Sequence, residues 1–387
     1  MQGKEGRKKA SRLILVVAAY FPDSYGGAER QAQILAEALG AEGVDVTLVA
    51  PTIDHSTPEV EETTFGRIVR KHLAAYPNFG GRQILSFLRW SLWFPRHFSR
   101  SRWQGVPVYV FHARLHAFGP LLAAVQNGSR LLVKLGGGGE ASEFVALRSK
   151  RYVYGRLIER ALKKRVDLFV SNSRAITGEL REIGIPDTRI LQIHNGVALP
   201  DKAVIEDAIA RRGGSRFIYA GRLIPDKSID VLFDAARLAG EDGLPVDLRL
   251  VGKGSEKDRF EPGLSMIRPP ARVAFPGYVA DIYSELLSSD YFLCASQREG
   301  QSNALLEAMS AGVIPVVFAA SGVRDVVEHG VTGWVVETAT PQAFLAAIRQ
   351  VLAMPAGERR RMSLAARDFA ERSIGITAVA RTMLTVL

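Results

Sequence analysis

YFLCASQREGQSNALLEAMSAGVIPVVF, residues 291–318, reads as strand, loop, helix and strand in succession. The apolar runs at its two ends have strand length, and the stretch between them has helical length, with Ser302 placed to cap the helix start. Two strands joined through a helix form a βα unit of a parallel sheet. The same stretch sets Glu299 and Glu307 on either side of the helix N-terminus. The chain repeats that spacing at Glu29 and Glu37, so the pair by itself decides nothing.

Outward from this unit the alternation continues in both directions. RFIYAGR, VDLRLVG, RVAFPG, DYFLCAS, GVIPVVF and GWVVE form one series; RLILVVAAY, VDVTLVA, VPVYVF, RLLVKL, VDLFVS and RILQIHN form another nearer the N-terminus. After the first of these runs, Ala28, Ala32, Leu35 and Leu39 recur at helical spacing, which gives that helix one stripe to lay on a sheet. Residues 197–215 lose the periodicity and end in Gly213 and Gly214, the signature of a linker. The expected fold is α/β: two tandem doubly wound, Rossmann-like domains, 1–196 and 216–340, with the carboxyl ends of their sheets facing a cleft. Residues 341–387 are expected to be helical, the last helix packing back on the N-terminal domain.

Composition fits this expectation. A chain of 387 residues that is 47% hydrophobic and 23% charged has the make-up of two globular domains, not of a disordered or fibrous protein. One cysteine, Cys294, excludes an internal disulfide, and its apolar surroundings read as those of a buried structural thiol. No run is long enough to span a bilayer. The basic, then apolar, N-terminus resembles a signal peptide but equally a first buried strand, and the helix that follows at once favours the strand.

Ligands of open α/β sheets bind beyond the carboxyl ends of the strands, so the loops there carry the chemistry. Gly26 and Gly27 follow the first strand and open a helix; AGRLIPDK, VGKGSE and SQREGQSN follow strands of the second series. A glycine-rich loop entering a helix offers backbone N–H groups and partial positive charge to an anion. Gly26 and Gly27 alone read equally as a tight turn, and Arg222 and Lys227 alone as solvated charges. Convergence tells more: two cations, a helix N-terminus and two carboxylates share one sheet edge, and a diphosphate wants the cations while a ribose and a sugar want the carboxylates.

Together, GGAER, SNSRA, IHNGV, AGRLIPDKSID, VGKGS, the block from Val273 to Val317 and VEHGVTGWVVE resemble the retaining GT-B glycosyltransferases of family 4, over most of the chain. The resemblance implies that Arg222 and Lys227 hold the donor diphosphate, that Glu307 accepts the ribose hydroxyls, and that Glu299 contacts the donor sugar. It implies further donor contacts at Gly26, Gly27, Gly252, Gly254, Gly300 and Ser302, and through the amides of Asn303, Ala304 and Leu305. It also implies transfer from a UDP- or GDP-sugar to a hydroxyl of a glycan or lipid-linked acceptor, with no cofactor, no metal and no protein nucleophile, in the cytoplasm. A sugar-nucleotide epimerase or a phosphorylase of the same fold is the alternative.

One departure stands out. Relatives carry histidine in a Val-x-x-His-Gly pattern after the fourth run, whereas LLVKLGGGGE has Gly136 at that place. Lys134, Glu140 or the amides of Gly136 and Gly137 are left to serve, with His112 and Asn195 as further candidate sugar or acceptor contacts. His112 and His116 have metal-ligand spacing but no third ligand. The net charge of +10 is concentrated in residues 148–165, and residues 84–103 interleave arginine with Phe87, Trp90, Phe94 and Phe98. These segments suit an anionic membrane surface at the inner face, or else an aromatic core stripe with a solvated basic back; Pro95 should end or kink the helix. No nucleic-acid recognition motif accompanies the charge.

Overall fold

The computed structural model describes residues 11–24, 26–77, 83–137, 142–149, 154–297 and 301–387, and divides into two units. The first comprises residues 1–196 and 376–387, the second Val197–Gly375. Each is built on its own sheet.

In the first unit the strands are β1 Arg12–Val16, β2 Asp45–Thr52, β3 Val60–Thr63, β4 Gly66–His72, β5 Val108–Phe111, β6 Leu131–Leu135, β7 Leu168–Ser171 and β8 Ile190–Gln192. They lie in the order β3-β4-β2-β1-β5-β6-β7-β8 and are parallel except for the β3–β4 hairpin. That hairpin is absent from the sequence reading because an edge hairpin with one solvated face carries little apolar signal. The helices are α1 Gly27–Ala41, α2 Ile84–His97, α3 Phe118–Asn127, α4 Glu143–Arg148, α5 Gly155–Arg165 and α6 Arg174–Glu182.

The sheet is covered on both faces. Val133 and Leu135 of β6 join a core with α2, α3 and α5, whereas Leu132 joins one with α1. The stripe of α1 lies in that second core through Ala32, Leu35 and Leu39. Phe87, Trp90, Phe94 and Phe98 are all buried, so they are core residues of the opposite layer and not a lipid-facing stripe. Helix α2 continues through Pro95 to His97. Proline leaves the carbonyl one turn back without its usual partner, but here the aromatic face anchors the last turn, with Phe94 and Phe98 ring centroids 4.7 Å apart.

The second sheet is wholly parallel, in the order β11-β10-β9-β12-β13-β14: β9 Arg216–Ala220, β10 Asp247–Val251, β11 Arg272–Gly277, β12 Tyr291–Cys294, β13 Ile314–Phe318 and β14 Trp334–Val336. Its helices are α7 Lys202–Arg211, α8 Ile229–Glu241, α9 Ser255–Phe260, α10 Ile282–Leu287, α11 Asn303–Ser310, α12 Pro341–Ala353 and α13 Ala356–Phe369. Helix α7 corrects the expectation of a bare linker. Asp201 caps it by accepting from the Ala203 amide, and Ile205 and Ile209 are buried against the core. Its apolar spacing is short and its capping acid sits among proline and lysine, which masks the helix in the sequence. Helices α12 and α13 also belong to this unit, through Phe344, Ile348 and Val351 in one core and Ala366 in the other. Only the last helix, α14 Ile376–Leu384, belongs to the first unit, with Val379, Ala380 and Met383 in the core shared with α1.

Candidate functional site

In the second unit the strand order reverses between β9 and β12, which lie side by side while β10 and β13 run off in opposite directions. Two loops therefore leave the sheet at this switch point, one after β9 and one after β12. The first runs Gly221, Arg222, Leu223 and through Pro225–Lys227 into α8. Leu223 is fully buried and anchors it, while Arg222 beside it is exposed. The Tyr219 hydroxyl donates to the Arg222 carbonyl at 3.0 Å and fixes the loop from below. Ser228, at φ 51, makes the left-handed step into α8, placing Lys227 at the mouth of that helix.

Gly252 and Gly254 have a part in this geometry that the motif alone does not reveal. A Cβ on Gly252 would lie 1.8 Å from the Gly221 carbonyl oxygen, and one on Gly254 would lie 2.1 Å from that of Leu223. The Leu223 amide donates to Lys253 O at 2.8 Å, and the Glu256 amide to Leu223 O at 2.9 Å. The two glycines thus allow the backbone after β10 to lie directly against the loop that carries Arg222.

After β12 come Ala295 and the buried Ser296, whose hydroxyl has no partner among the described residues. Glu299 and Gly300 lie outside the described residues. Ser302 caps α11: its Oγ accepts from the Leu305 amide at 3.5 Å. Leu305 itself is buried in the core and its amide donates to the cap, so that amide is already engaged. Asn303, Ala304 and Glu307 are half-buried along the same helix.

The carboxyl edge of the first sheet carries a second group of polar side chains. His112 follows β5 with a left-handed φ of 73, rare for a side chain with a Cβ. Its Nδ1 is 2.7 Å from the Glu143 carboxylate, which also accepts from the Gly136 amide at 3.0 Å. Glu143 is buried; burial alone would raise its pKa, but the bonds from His112 and Gly136 outweigh this and hold it below the ordinary value. Its second oxygen has no partner among the described residues. A Cβ on Gly136 would lie 2.8 Å from His112 Cε1, so the imidazole from the neighbouring strand occupies the space beside the position where a histidine was expected. Glu143 was missed in the sequence because its partner is 31 residues away; Glu140, singled out instead, lies outside the described residues, and Gly137 is half-buried.

Other expected residues separate by environment. His116 is fully buried and its Nε2 lies 2.9 Å from Phe111 O; burial pushes its pKa down to about 3, which makes it a neutral core histidine. Among the described residues no three His, Cys, Asp or Glu come together as a metal-holding group. Asn195 is buried next to Gly196, whose amide and carbonyl are both held by the Gln31 side chain of α1, at 2.9 and 2.8 Å. At the start of α1, Glu29 accepts from Ser24 Oγ at 2.9 Å, and a Cβ on Gly26 would meet Glu29 Oε2 at 2.4 Å, so Gly26 makes room for that carboxylate. Gly27 beside it is exposed. Glu37, by contrast, is exposed and accepts from Gln33 Nε2 at 3.0 Å.

Two family models divide the chain between them. Residues 25–199 match the model described as Glycosyltransferase Family 4, and residues 204–369 match Glycosyl transferases group 1. The chain belongs to the group 1 glycosyltransferases of the GT-B fold. The putative colanic acid biosynthesis glycosyltransferase of Salmonella typhimurium is 27% identical over 49% of this chain and 48% of its own length. The glycogen synthase of Myxococcus xanthus is 32% identical over 42% of this chain and 36% of its own. The chain thus matches half or less of the length of these curated relatives. Two solved structures align over nearly all of both chains. Anabaena HepE in complex with UDP and glucose has a TM-score of 0.73 at 16% identity, covering 98% of this chain and 99% of that one. Sucrose-phosphate synthase from Thermosynechococcus elongatus has 0.76 at 19%, covering 97% and 98%. At such identities the likeness carries the fold.

Lys134 of β6 is a basic side chain in a place where lysine is rarely found, because an ammonium loses its hydration on burial. It is buried, its ammonium lies 4.9 Å from the centre of the Phe111 ring, and no carboxylate partners it among the described residues. Burial pushes its pKa down to about 7. Between that value and the ordinary lysine value of about 10.4, the unfolded chain binds a proton that the folded chain does not, so stability rises with pH through this window. The cost of burying Lys134 is therefore fully present below pH about 7 and fades towards pH about 10. Lys134→Met should raise Tm at neutral pH by about 5 °C, a gain that shrinks steadily on raising the pH. A Tm difference independent of pH, measured by calorimetry, would show that the amine is charged and compensated in the fold.

Proposed function

We propose that this chain is a retaining, metal-independent hexosyltransferase that moves a sugar from a UDP- or GDP-sugar to a hydroxyl of a glycan or lipid-linked acceptor, in cytoplasmic synthesis of a cell-surface polysaccharide or glycolipid. The observation that carries this reading is that two segments leave neighbouring strands at the β9–β12 switch point, one bearing Arg222 and Lys227, the other leading to the Ser302-capped helix. Cations beside the N-terminus of a helix match a diphosphate, and a carboxylate one turn further along, Glu307, matches a ribose diol.

In the reaction the anomeric carbon–oxygen bond breaks and its electron pair passes to the diphosphate. The acceptor oxygen bonds to the anomeric carbon on the face that the diphosphate leaves, and the acceptor proton passes to the departing phosphate oxygen. Arg222 and Lys227 stabilise the charge that grows on that oxygen, the task a divalent cation performs elsewhere. His112, fixed by Glu143, presents its imidazole for a sugar or acceptor hydroxyl. No separate cofactor enters, because the sugar nucleotide is itself a substrate.

Relatives named for colanic acid, amylovoran and capsular polysaccharide synthesis support transfer over epimerisation or phosphorolysis. The UDP, glucose and UDP-glucose in the HepE structures support a sugar-nucleotide donor. A thermal-shift panel tests the reading, since a donor that binds only the folded chain must raise Tm by mass action. At about millimolar concentration one nucleoside diphosphate and its sugar conjugates are expected to raise Tm while the others do not. No shift with any of them would sink the donor site. Turnover of the positive sugar nucleotide should survive EDTA; loss that magnesium restores would overturn the metal-free part.

A further inference from the structure

Helices α2, α3 and α5 cover one face of the first sheet through a shared core, and α4 packs on α5. Phe87 of α2 ties the layer together, with its ring centroid 6.0 Å from that of Phe118 at the start of α3 and 5.3 Å from that of Tyr154 at the start of α5. With the aromatics turned inward, the outer side of α2 is left to Leu85, Leu88 and Leu92, which are 63%, 46% and 52% exposed at i, i+3 and i+7. On α5, Leu157 is 64% exposed. Seven of the fourteen exposed large apolar side chains among the described residues fall on these four helices, so the apolar surface is gathered and not scattered.

Charge on the same layer has one sign. Helices α2 and α3 contain no acidic residue. The acids of α4 and α5, Glu143 and Glu159, are buried, the first against His112 and the second against Arg148 and Lys163, at 2.7 and 3.0 Å. Arg89, Arg96, Arg156, Arg160, Lys164 and Arg165 remain exposed with no acid on these helices to oppose them. Exposed leucines between arginines of uniform sign oppose contact with another copy of the same face, because like charges would meet. They complement a surface that is apolar within and anionic at its boundary.

We propose that the outer face of α2 and α5 docks on an anionic lipid bilayer, with Leu85, Leu88, Leu92 and Leu157 entering the interface and the surrounding arginines and lysine lying among the headgroups. Among the described residues no helix is long and apolar enough to cross a membrane, so the attachment is lateral and reversible. This inference does not depend on the donor site, and its test reads no nucleotide and no turnover.

The full chain is sedimented with vesicles of phosphatidylcholine alone and with vesicles containing phosphatidylserine, over a range of salt. Wild type should pellet with the anionic vesicles only, and less as salt rises. The triple variant L85S/L88S/L92S should lower partitioning by roughly tenfold or more while keeping the salt dependence, because area is lost and charge is not. R156Q/R160Q/K164Q should also weaken binding but flatten the salt dependence. All six side chains are exposed, so unchanged Tm and circular dichroism are expected and separate lost docking from lost folding. No binding to anionic vesicles at low salt would overturn the proposal. So would a leucine variant that binds as wild type does, which would reduce the face to a nonspecific polycation, or a concentration-dependent dimer that the leucine variant abolishes.

Discussion

Replacing Arg222 or Lys227 by alanine should lower kcat by roughly a hundredfold or more, with a smaller change in donor KM. Both act where charge develops as the glycosyl bond breaks, and a preorganised cation there needs no rearrangement at the moment of reaction. Glu307→Ala should behave differently. Hydrogen bonds to a ribose are equally good before and during bond breaking, so their loss raises donor KM and leaves kcat close to normal. Glu37→Ala is the internal control: Glu37 is exposed on α1 and accepts from Gln33 of the same helix, and the variant should match wild type in both parameters. The measurement is initial-rate kinetics on the donor found by thermal shift, with each variant first shown to melt as wild type does. If Arg222→Ala and Lys227→Ala kept wild-type kcat, the switch-point site would have been assigned to the wrong chemistry.

Gly252→Ala is expected to be the most damaging single-methyl change in the second unit. Its φ of 144 is one that side chains rarely adopt, and the added carbon would lie 1.8 Å from the Gly221 carbonyl oxygen. Neither neighbour is a side-chain end that can swing aside: the clash is backbone against backbone, across loops tied by the Leu223–Lys253 hydrogen bond. We expect a loss of about 3 kcal/mol or more, seen as a marked fall in Tm or as insoluble protein. Gly243→Ala provides the comparison. Gly243 also has a positive φ, 70, but nothing lies within 4 Å of where its Cβ would be, so it should cost only about 1 kcal/mol. Equal melting of the two variants would mean that the close approach of the Arg222 loop is not what Gly252 provides.

Much of the architecture was legible in the sequence because parallel strands buried on both faces are written as short unbroken apolar runs. Such runs as RLILV, RFIYA and IPVVF announce themselves, and Ser302 before a helical pattern announces a cap. The family motifs located the loops at the carboxyl edges for the same reason: they are contiguous in the chain. Where the pattern depends on a partner far along the chain, the sequence is silent. It could assign Phe87, Trp90, Phe94 and Phe98 to one helical face but not say whether core or solvent lay against that face; the core formed with α3 and α5 decided it, and so left the leucines outside. Gly252 and Gly254 stood out as a glycine motif in the sequence, yet only the approach of the Gly221 and Leu223 carbonyls shows why a side chain is excluded there. The pairing of His112 with Glu143, and the filling of the space beside Gly136 by that imidazole, join strand ends that are neighbours in the sheet and distant in the chain. Local sequence determines which residues can form each element; which side chains then share a cavity is set by the order of strands in the sheet, a property of the tertiary fold that no contiguous stretch contains.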